Sequence, residues 1–326
     1  MIKRNLIKRV MAAGAIMAVT LSLAGCGIGG SSVKLGAAGV GGGYYAFSNA
    51  FAQIASSEDE DLDFEVKATA GSTANIRLLS DGYVDMAIAQ ADLVDAAYNG
   101  TGATDKKRYR GYSAIASLYT EACQIVVRAD SGIDNLDDLQ GKKISVGEEE
   151  SGTQRNAEQI LQMTGLVESL VDTVNLDYVD AANELKAGQI DAFFCTAGIQ
   201  TSVIEELSKE CDVKLIGIDD KCRDRLKSVY GFYTDYTIPA GTYEGQDQDV
   251  ETLGVRAVLL ARDDMDEEIV EELTGLLFEH SQDIQYSIPL TFQIDESEAV
   301  KNVTIPFHDG AKAYYQKKGI EIPTEQ

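Results

Sequence analysis

The sequence predicts an α/β fold built as two lobes, and three observations carry that prediction. A short apolar run, a polar or glycine-rich turn and a helical pattern follow one another repeatedly, the mark of a sheet whose strand ends present turns to a ligand. One such unit recurs downstream: Leu79-Ser80-Asp81-Gly82-Tyr83-Val84-Asp85-Met86-Ala87-Ile88 has the spacing of Leu185-Lys186-Ala187-Gly188-Gln189-Ile190-Asp191-Ala192-Phe193-Phe194. The chain is also long enough, because 326 residues less 25 that read as an export signal leave 301, which suits two lobes better than one small domain.

Lys3, Arg4, Lys8 and Arg9 form a positive n-region ahead of an apolar core, Val10 to Leu23, that is too short for a stable spanning helix. Leu23-Ala24-Gly25-Cys26 then gives the lipoprotein processing pattern, with cleavage before Cys26 and acylation of its thiol and new amine. Residues 26–32 become a lipid-anchored Gly/Ser-rich tether. The protein is therefore expected outside the cytoplasm, on the periplasmic or outer face of the cell membrane and touching it only through the anchor. The signal takes away four bases and no acids, so the formal charge moves from −25 to −29. Such a surface repels nucleic acid and anionic headgroups. An anionic ligand would then depend on local dipoles, since salt screens distant charge over about 10 Å. Cys123, Cys195, Cys211 and Cys222 have neither zinc-knuckle nor Cys-x-x-Cys spacing. Only Cys211 and Cys222 are close enough in sequence to suggest a bridge, and free thiols remain the other reading.

The first strand signal runs into Leu35-Gly36-Ala37-Ala38-Gly39-Val40-Gly41-Gly42-Gly43-Tyr44-Tyr45 and then a helix carrying Phe47, Ala50, Phe51 and Ile54. A loop this rich in glycine brings bare N–H groups to a helix N-terminus, which suits an anion. It matches neither the dinucleotide fingerprint nor the phosphate-binding loop, and a tight connection without a ligand is the plain alternative. A strand over Phe64 to Ala68 leads to Thr69-Ala70-Gly71-Ser72-Thr73-Ala74-Asn75 and a helix ending at Gly82; Val84 to Ala89 is a buried strand, followed by Gln90-Ala91-Asp92 and a helix over Leu93 to Tyr98. Ala114 to Leu118 and Gln124 to Arg128 read as two strands flanking Tyr119-Thr120-Glu121. A short capped helix near Asp137, a strand at Ile144 to Val146, then Ser151-Gly152-Thr153-Gln154 and a helix to Gly165 repeat the pattern. The echo unit ends in Cys195-Thr196-Ala197-Gly198, so both polar turns should point into one cleft. Leu253 to Leu260 reads as a strand, Asp263 to Glu272 as an acid-rich helix start and His308 to Lys318 as a terminal helix.

These segments together resemble the TAXI-type extracytoplasmic solute receptors of tripartite ATP-independent periplasmic (TRAP) transporters. The resemblance covers nearly the whole mature chain and is carried by the Gly36 to Tyr45 loop, Gly71-Ser72-Thr73-Ala74-Asn75, Ala89-Gln90-Ala91-Asp92, Asp138-Leu139-Gln140-Gly141-Lys142 and Ser151-Gly152-Thr153. Further along it is carried by Gly188-Gln189-Ile190-Asp191-Ala192-Phe193-Phe194, Ile238-Pro239-Ala240-Gly241-Thr242-Tyr243 and Ile305-Pro306-Phe307-His308-Asp309-Gly310-Ala311. It implies a two-lobed type II periplasmic-binding-protein fold with two crossover strands, acting as a monomer without cofactor or metal. It also implies a glutamate-like carboxylate or amino acid as ligand and a TRAP permease driven by an ion gradient as partner. The lobes are expected at 33–128 plus 253–326 and at 129–252. The opening loop departs from the family, with Ala37 and Val40 where hydroxyls are usual and Ala46 where a Pro is usual, so backbone amides would carry more of the ligand contact.

With the resemblance added, Gly39, Gly41 and Gly42 are assigned backbone contact with a carboxylate, and Tyr44 and Tyr45 should split, one facing the cleft and one packing on the sheet. Ser72, Thr73 and Asn75 either bind ligand or cap their helix. Gln90 and Asp92 form the first polar turn, Asp92 as N-cap, ammonium acceptor or both. Ser151, Gly152 and Thr153 are the second lobe's contribution, again with capping as the alternative, and Thr196 and Gly198 close the second turn. Arg77 and Arg155 are candidate bidentate clamps that could equally be solvated. Enzyme chemistry is poorly served: His280 and His308 are the only histidines, His308 reads as a cap, and neither a Gly-x-Ser-x-Gly elbow nor a His-Glu-x-x-His motif is present. A transferase or lyase on this fold would need a thiol or base in the cleft; a sensor presenting its closed form to a membrane kinase is the other alternative.

Overall fold

The computed structural model describes residues 32–102, 106–167, 169–288 and 294–323. The export signal, Cys26 and all of the tether except Ser32 lie outside the described residues. Ten strands, β1 Val33–Gly36, β2 Phe64–Lys67, β3 Met86–Gln90, β4 Tyr112–Arg128, β5 Lys143–Ser145, β6 Asp172–Val174, β7 Ala192–Ala197, β8 Val213–Leu215, β9 Thr234–Ile238 and β10 Val250–Arg262, form one sheet. Its order is β2-β1-β3-β10-β4-β7-β5-β6, with β8 on β4 and β9 on β10. The helices are α1 Gly43–Glu58, α2 Ser72–Ser80, α3 Ala91–Asn99, α4 Gly152–Thr164, α5 Tyr178–Lys186, α6 Ser202–Glu210, α7 Asp220–Tyr230, α8 Glu267–Glu279, α9 Ser281–Ser287 and α10 Asp309–Lys318.

The sheet is two parallel three-stranded halves, β2-β1-β3 and β6-β5-β7, joined by β4 and β10, which run antiparallel to each other and to the flanking strands. β3 is buried along its whole length, as its unbroken apolar run requires of a strand covered on both faces. Phe47 and Phe51, four residues apart, stack at 6.1 Å between centroids on the buried side of α1. They belong to a core that gathers β1–β3, the first half of β4, the second half of β10 and α8 to α10. Separate cores form around the other end of β4, with β5 and β7 and helices α4 to α7.

The two expected strands flanking Tyr119-Thr120-Glu121 are one strand. Glu121 and Thr120 pair with Val255 and Arg256, and after a register shift between Arg256 and Val258 the pairing resumes with Ser117 opposite Val258, so β4 continues through the polar triplet. Polarity misleads here because these residues sit where one core ends and the next begins. Likewise Gln90 ends β3 and Ala91 begins α3 with no intervening turn. His308 caps α10 as expected, its Nδ1 accepting from Gly310 N–H at 3.2 Å. Cys123, Cys195, Cys211 and Cys222 are all free. No helix among the described residues is long and apolar enough to cross a membrane.

The sequence echo is a structural repeat. Gly82 and Gly188 each adopt a left-handed conformation after a helix, φ 74° and 69°. Three residues on, Asp85 accepts from Lys34 N–H and Asp191 from Lys143 N–H, both at 2.9 Å, tying each unit to the neighbouring parallel strand. Asp85→Ala and Asp191→Ala are each expected to cost about 1–3 kcal/mol. With no partner in common, their effects should add in urea titrations of the double variant.

Candidate functional site

β1 feeds the glycine loop straight into α1, and this places the first wall of a cleft between the two halves of the molecule. Gly42 is the N-cap in extended geometry, and no side chain caps the helix. Gly39, Gly42 and Gly43 line the cleft. Tyr44 lines it and donates from Oη to Glu121 Oε2 at 2.6 Å, whereas Tyr45 packs against the first core. Gly41 does not line the cleft; its carbonyl accepts from Ser202 Oγ at 3.1 Å. Ala37 is fully buried and Val40 is 56 % exposed, and neither lines the cleft. Hydroxyls there would not have faced a ligand, so their lack removes no cleft contact.

The Ser72-Thr73-Ala74-Asn75 segment divides its work. Ser72 lines the cleft and its Oγ accepts from Gln90 N–H at 3.1 Å. Thr73 and Ala74 instead give their N–H groups to the carbonyl of Glu150, at 3.1 and 3.2 Å. Asn75 is a staple beneath the loop, where Nδ2 donates to the carbonyls of Ala37 and Ile88 and Oδ1 accepts from Thr69 Oγ1. Asp92 sits in the first turn of α3 away from the cleft lining, and burial pushes its carboxyl up to about 6.

The opposite wall comes from α4 and β7. Ser151 is the N-cap of α4, accepting from Gln154 N–H at 2.9 Å, and it lines the cleft with Gly152, Thr153 and Thr196. Thr153 Oγ1 lies 2.6 Å from Tyr178 Oη and accepts from Thr196 N–H at 3.2 Å. Gly198 is outside the lining and its carbonyl is taken by Thr201 Oγ1. Both polar turns of the repeat therefore reach one cleft, through Gln90 and Thr196. The walls touch: Gln90 Nε2 donates to Asn156 Oδ1 at 3.0 Å, and Arg77 pairs with Glu150 at 2.7 Å.

Besides the small residues Ala38, Gly43, Ala70 and Gly71, four polar lining residues were not legible as site residues, namely Glu121, Glu148, Asp177 and Tyr178. Glu121 was read as part of a connection, and Asp177 carries the pattern of a helix cap, which it is, accepting from Asp180 N–H. Glu121 is 2 % exposed, and burial pushes its carboxyl up to about 8, against hydrogen bonds from Tyr44 and Gln90. Partial burial, then Asp177, raises Glu148. Neither arginine acts as a clamp here: Arg77 is spent on Glu150, Arg155 lies 3.6 Å from Glu158, and neither lines the cleft. No Lys, Arg, His or Cys is found among the described lining residues.

Residues 35–319 match a single family description. The chain belongs to the NMT1-like family. Its solved structural relatives include a protein of Bordetella bronchiseptica RB50, at 16 % identity and a TM-score of 0.57 over 88 % of this chain and 98 % of that one. They also include a protein assigned as an L-cystine ABC transporter from Listeria monocytogenes, at 13 % identity and a TM-score of 0.50 over 79 % and 94 %. This member of the family has the two-lobed type II periplasmic-binding-protein fold, with β4 and β10 as its crossover strands.

Two outcomes follow from the geometry. A Cβ on Gly152 would stand 2.5–2.7 Å from Cδ, Oε1 and Nε2 of Gln90. Overpacking of this kind costs about 1–3 kcal/mol, so Gly152→Ala should weaken binding of any solute the parent retains by roughly 5- to 150-fold, with little change in the melting temperature of the empty chain. The second concerns pH. The fold holds the Glu121 proton to about 8 against an ordinary 4.5, so protonation favours the folded state. That contribution is complete below the ordinary value and is lost as pH rises through about 8. Urea midpoints of the empty parent and Glu121→Gln should therefore diverge in favour of the variant between about pH 5 and pH 8.5.

Proposed function

We propose that the chain is an extracytoplasmic solute-binding receptor that captures a small carboxylate or amino acid between its lobes and hands it to a TRAP-type membrane permease. The observation that carries this reading is the N-terminus of α1: a 16-residue helix whose first turn, at Gly43 and Tyr44, opens on the cleft with no side-chain cap and no acidic residue in that turn. Free N–H groups and the helix dipole together favour an anion, and they act at contact distance where the global negative field is screened. The N-termini of the helices opposite are occupied, α4 by Ser151 and α5 by Asp177.

The lobes of this proposal are 33–128 with 253–326, and 129–252; the cores change over within the crossover strands, since Ile125, Val127, Leu253 and Val255 already pack in the second core. Cys26 carries the lipid anchor. Solute that touches both walls makes contacts only the closed form offers, and this difference shifts the population toward closure. The lining carries neither the cysteine nor the basic cluster on which the transferase or lyase reading depended, and burial raises Cys123 to about 12, far from a reactive thiolate. The TRAP assignment rests on the ordered motifs from Gly36 to Ala311, while the Listeria relative is named for an ABC transporter. Uptake through the partner permease should collapse when the ion gradient is dissipated and persist when ATP is depleted; the reverse would replace TRAP by ABC.

Mass spectrometry of solute released from the natively purified chain is expected to show a carboxylate. Adding that solute back at 100 times its Kd should stabilise the chain by about 2.7 kcal/mol and shrink its scattering profile. Superimposable profiles with and without solute would rule out lobe closure.

A further inference from the structure

Glu121 is the most buried ionisable group in the cleft wall, 2 % exposed, and no cationic side chain is close enough to lower its pKa. Its donors are neutral ones, Tyr44 Oη and the Gln90 amide. Gln90, also 2 % exposed, gives its Nε2 to Asn156 and leaves Oε1 without a hydrogen-bond partner. The floor of the cleft therefore presents a carboxyl group without a counter-ion, which keeps its proton while the cleft is empty and ionises, releasing that proton to solvent, when a cation is seated against it, beside an orphaned carbonyl oxygen. The ionised carboxylate and that oxygen are both acceptors. Buried acceptors left unmatched are costly, and a buried unpaired charge more so. An ammonium group carries three donors, no acceptor and one positive charge, the complement of what these two side chains lack.

We propose that Glu121 is the counter-ion for a protonated nitrogen on the solute, seated between the Glu121 carboxylate and Gln90 Oε1, with a single carboxylate of the solute at the start of α1. This rests on the reading of the cleft as a solute site and narrows it. Glu148 and Asp177 also line the cleft, and Arg77 is spent elsewhere, so a second carboxylate on the solute would meet negative charge and no clamp. The class selected is a neutral amino acid. Amine-free dicarboxylates are selected against by two separate features: they bring no donor to Glu121 and one anion too many to the mouth.

The test is calorimetric titration of the full chain with L-glutamine and with glutarate, which share a carbon skeleton but differ in the amine and in the second carboxylate. L-Glutamine should bind the parent roughly 30-fold or more tightly than glutarate. Glu121→Gln should erase most of that ratio by weakening L-glutamine alone, and Glu121→Asp, which keeps the charge, should restore part of it. Equal weakening of both probes in Glu121→Gln would mean a purely structural role and overturn the inference. Glutarate binding as tightly as L-glutamine to the parent overturns it while leaving the receptor reading intact, and that comparison needs no variant to fold. Binding of neither probe sinks the inference and the amino acid reading together.

Discussion

The antiparallel ladder between β4 and β10 is the strand pairing that both lobes share, and the site depends on its register. Each strand is apolar where it passes through a core, because it is covered there on both faces. Between the cores the same ladder crosses the floor of the cleft. Thr120 and Glu121 occupy that crossing, held opposite Arg256 and Val255. A strand in a continuous ladder cannot rotate one residue without displacing its neighbours, so the backbone delivers Glu121 to the floor of the cleft as firmly as it delivers Ile125 to the second core. The rest of the site is then assembled around a fixed point, with Tyr44 from one side, Gln90 from β3, and the start of α4 facing them.

The α/β alternation and the repeat were legible in the sequence because they rest on local chemistry. Gly82 and Gly188 are needed for left-handed turns, and Asp85 and Asp191 tie strand to strand, so pattern and structure coincide. The glycine loop was legible for the same reason, and it divided as neighbouring helical positions must, with Tyr44 toward the cleft and Tyr45 toward the core. What could not be read was which polar residue served which purpose. Asn75 and Thr73 look alike in a hydroxyl-rich turn, yet one pins three strand segments and the other meets Glu150 across the cleft. Glu121 was hidden because a short polar triplet between apolar runs has the composition of a connection, and only the partner strand reveals that the ladder continues. Ala37 and Val40, where the sequence lacks the hydroxyls usual in the family it resembles, differ in a way the sequence does not reveal, one lying beneath the glycine loop and the other on its outside.

The electrostatics of the molecule have two scales. The surface carries a large excess of acid, and the part of it that lies more than a Debye length from the cleft is felt there only weakly. Inside, the relevant quantities are few and close: an open helix end, a buried carboxyl group without a counter-ion and an orphaned carbonyl oxygen. Their spacing along one wall arranges opposite polarities side by side, which is the pattern a zwitterion presents in reverse.

Glu150 ties the lobes in a way that bears on how the cleft opens. Its residue sits at φ 66°, a conformation disfavoured for a side chain-bearing residue, and there its carbonyl receives Thr73 and Ala74 N–H from the start of α2. In effect a helix of one lobe borrows its cap from the other. Separation of the lobes leaves α2 with bare N–H groups for water or a passing anion to occupy, and frees Glu150 to relax its backbone. On the reading proposed above, the open cleft would gain a second vacant helix end that closure withdraws, so an approaching anion would meet two landing points and be left with one.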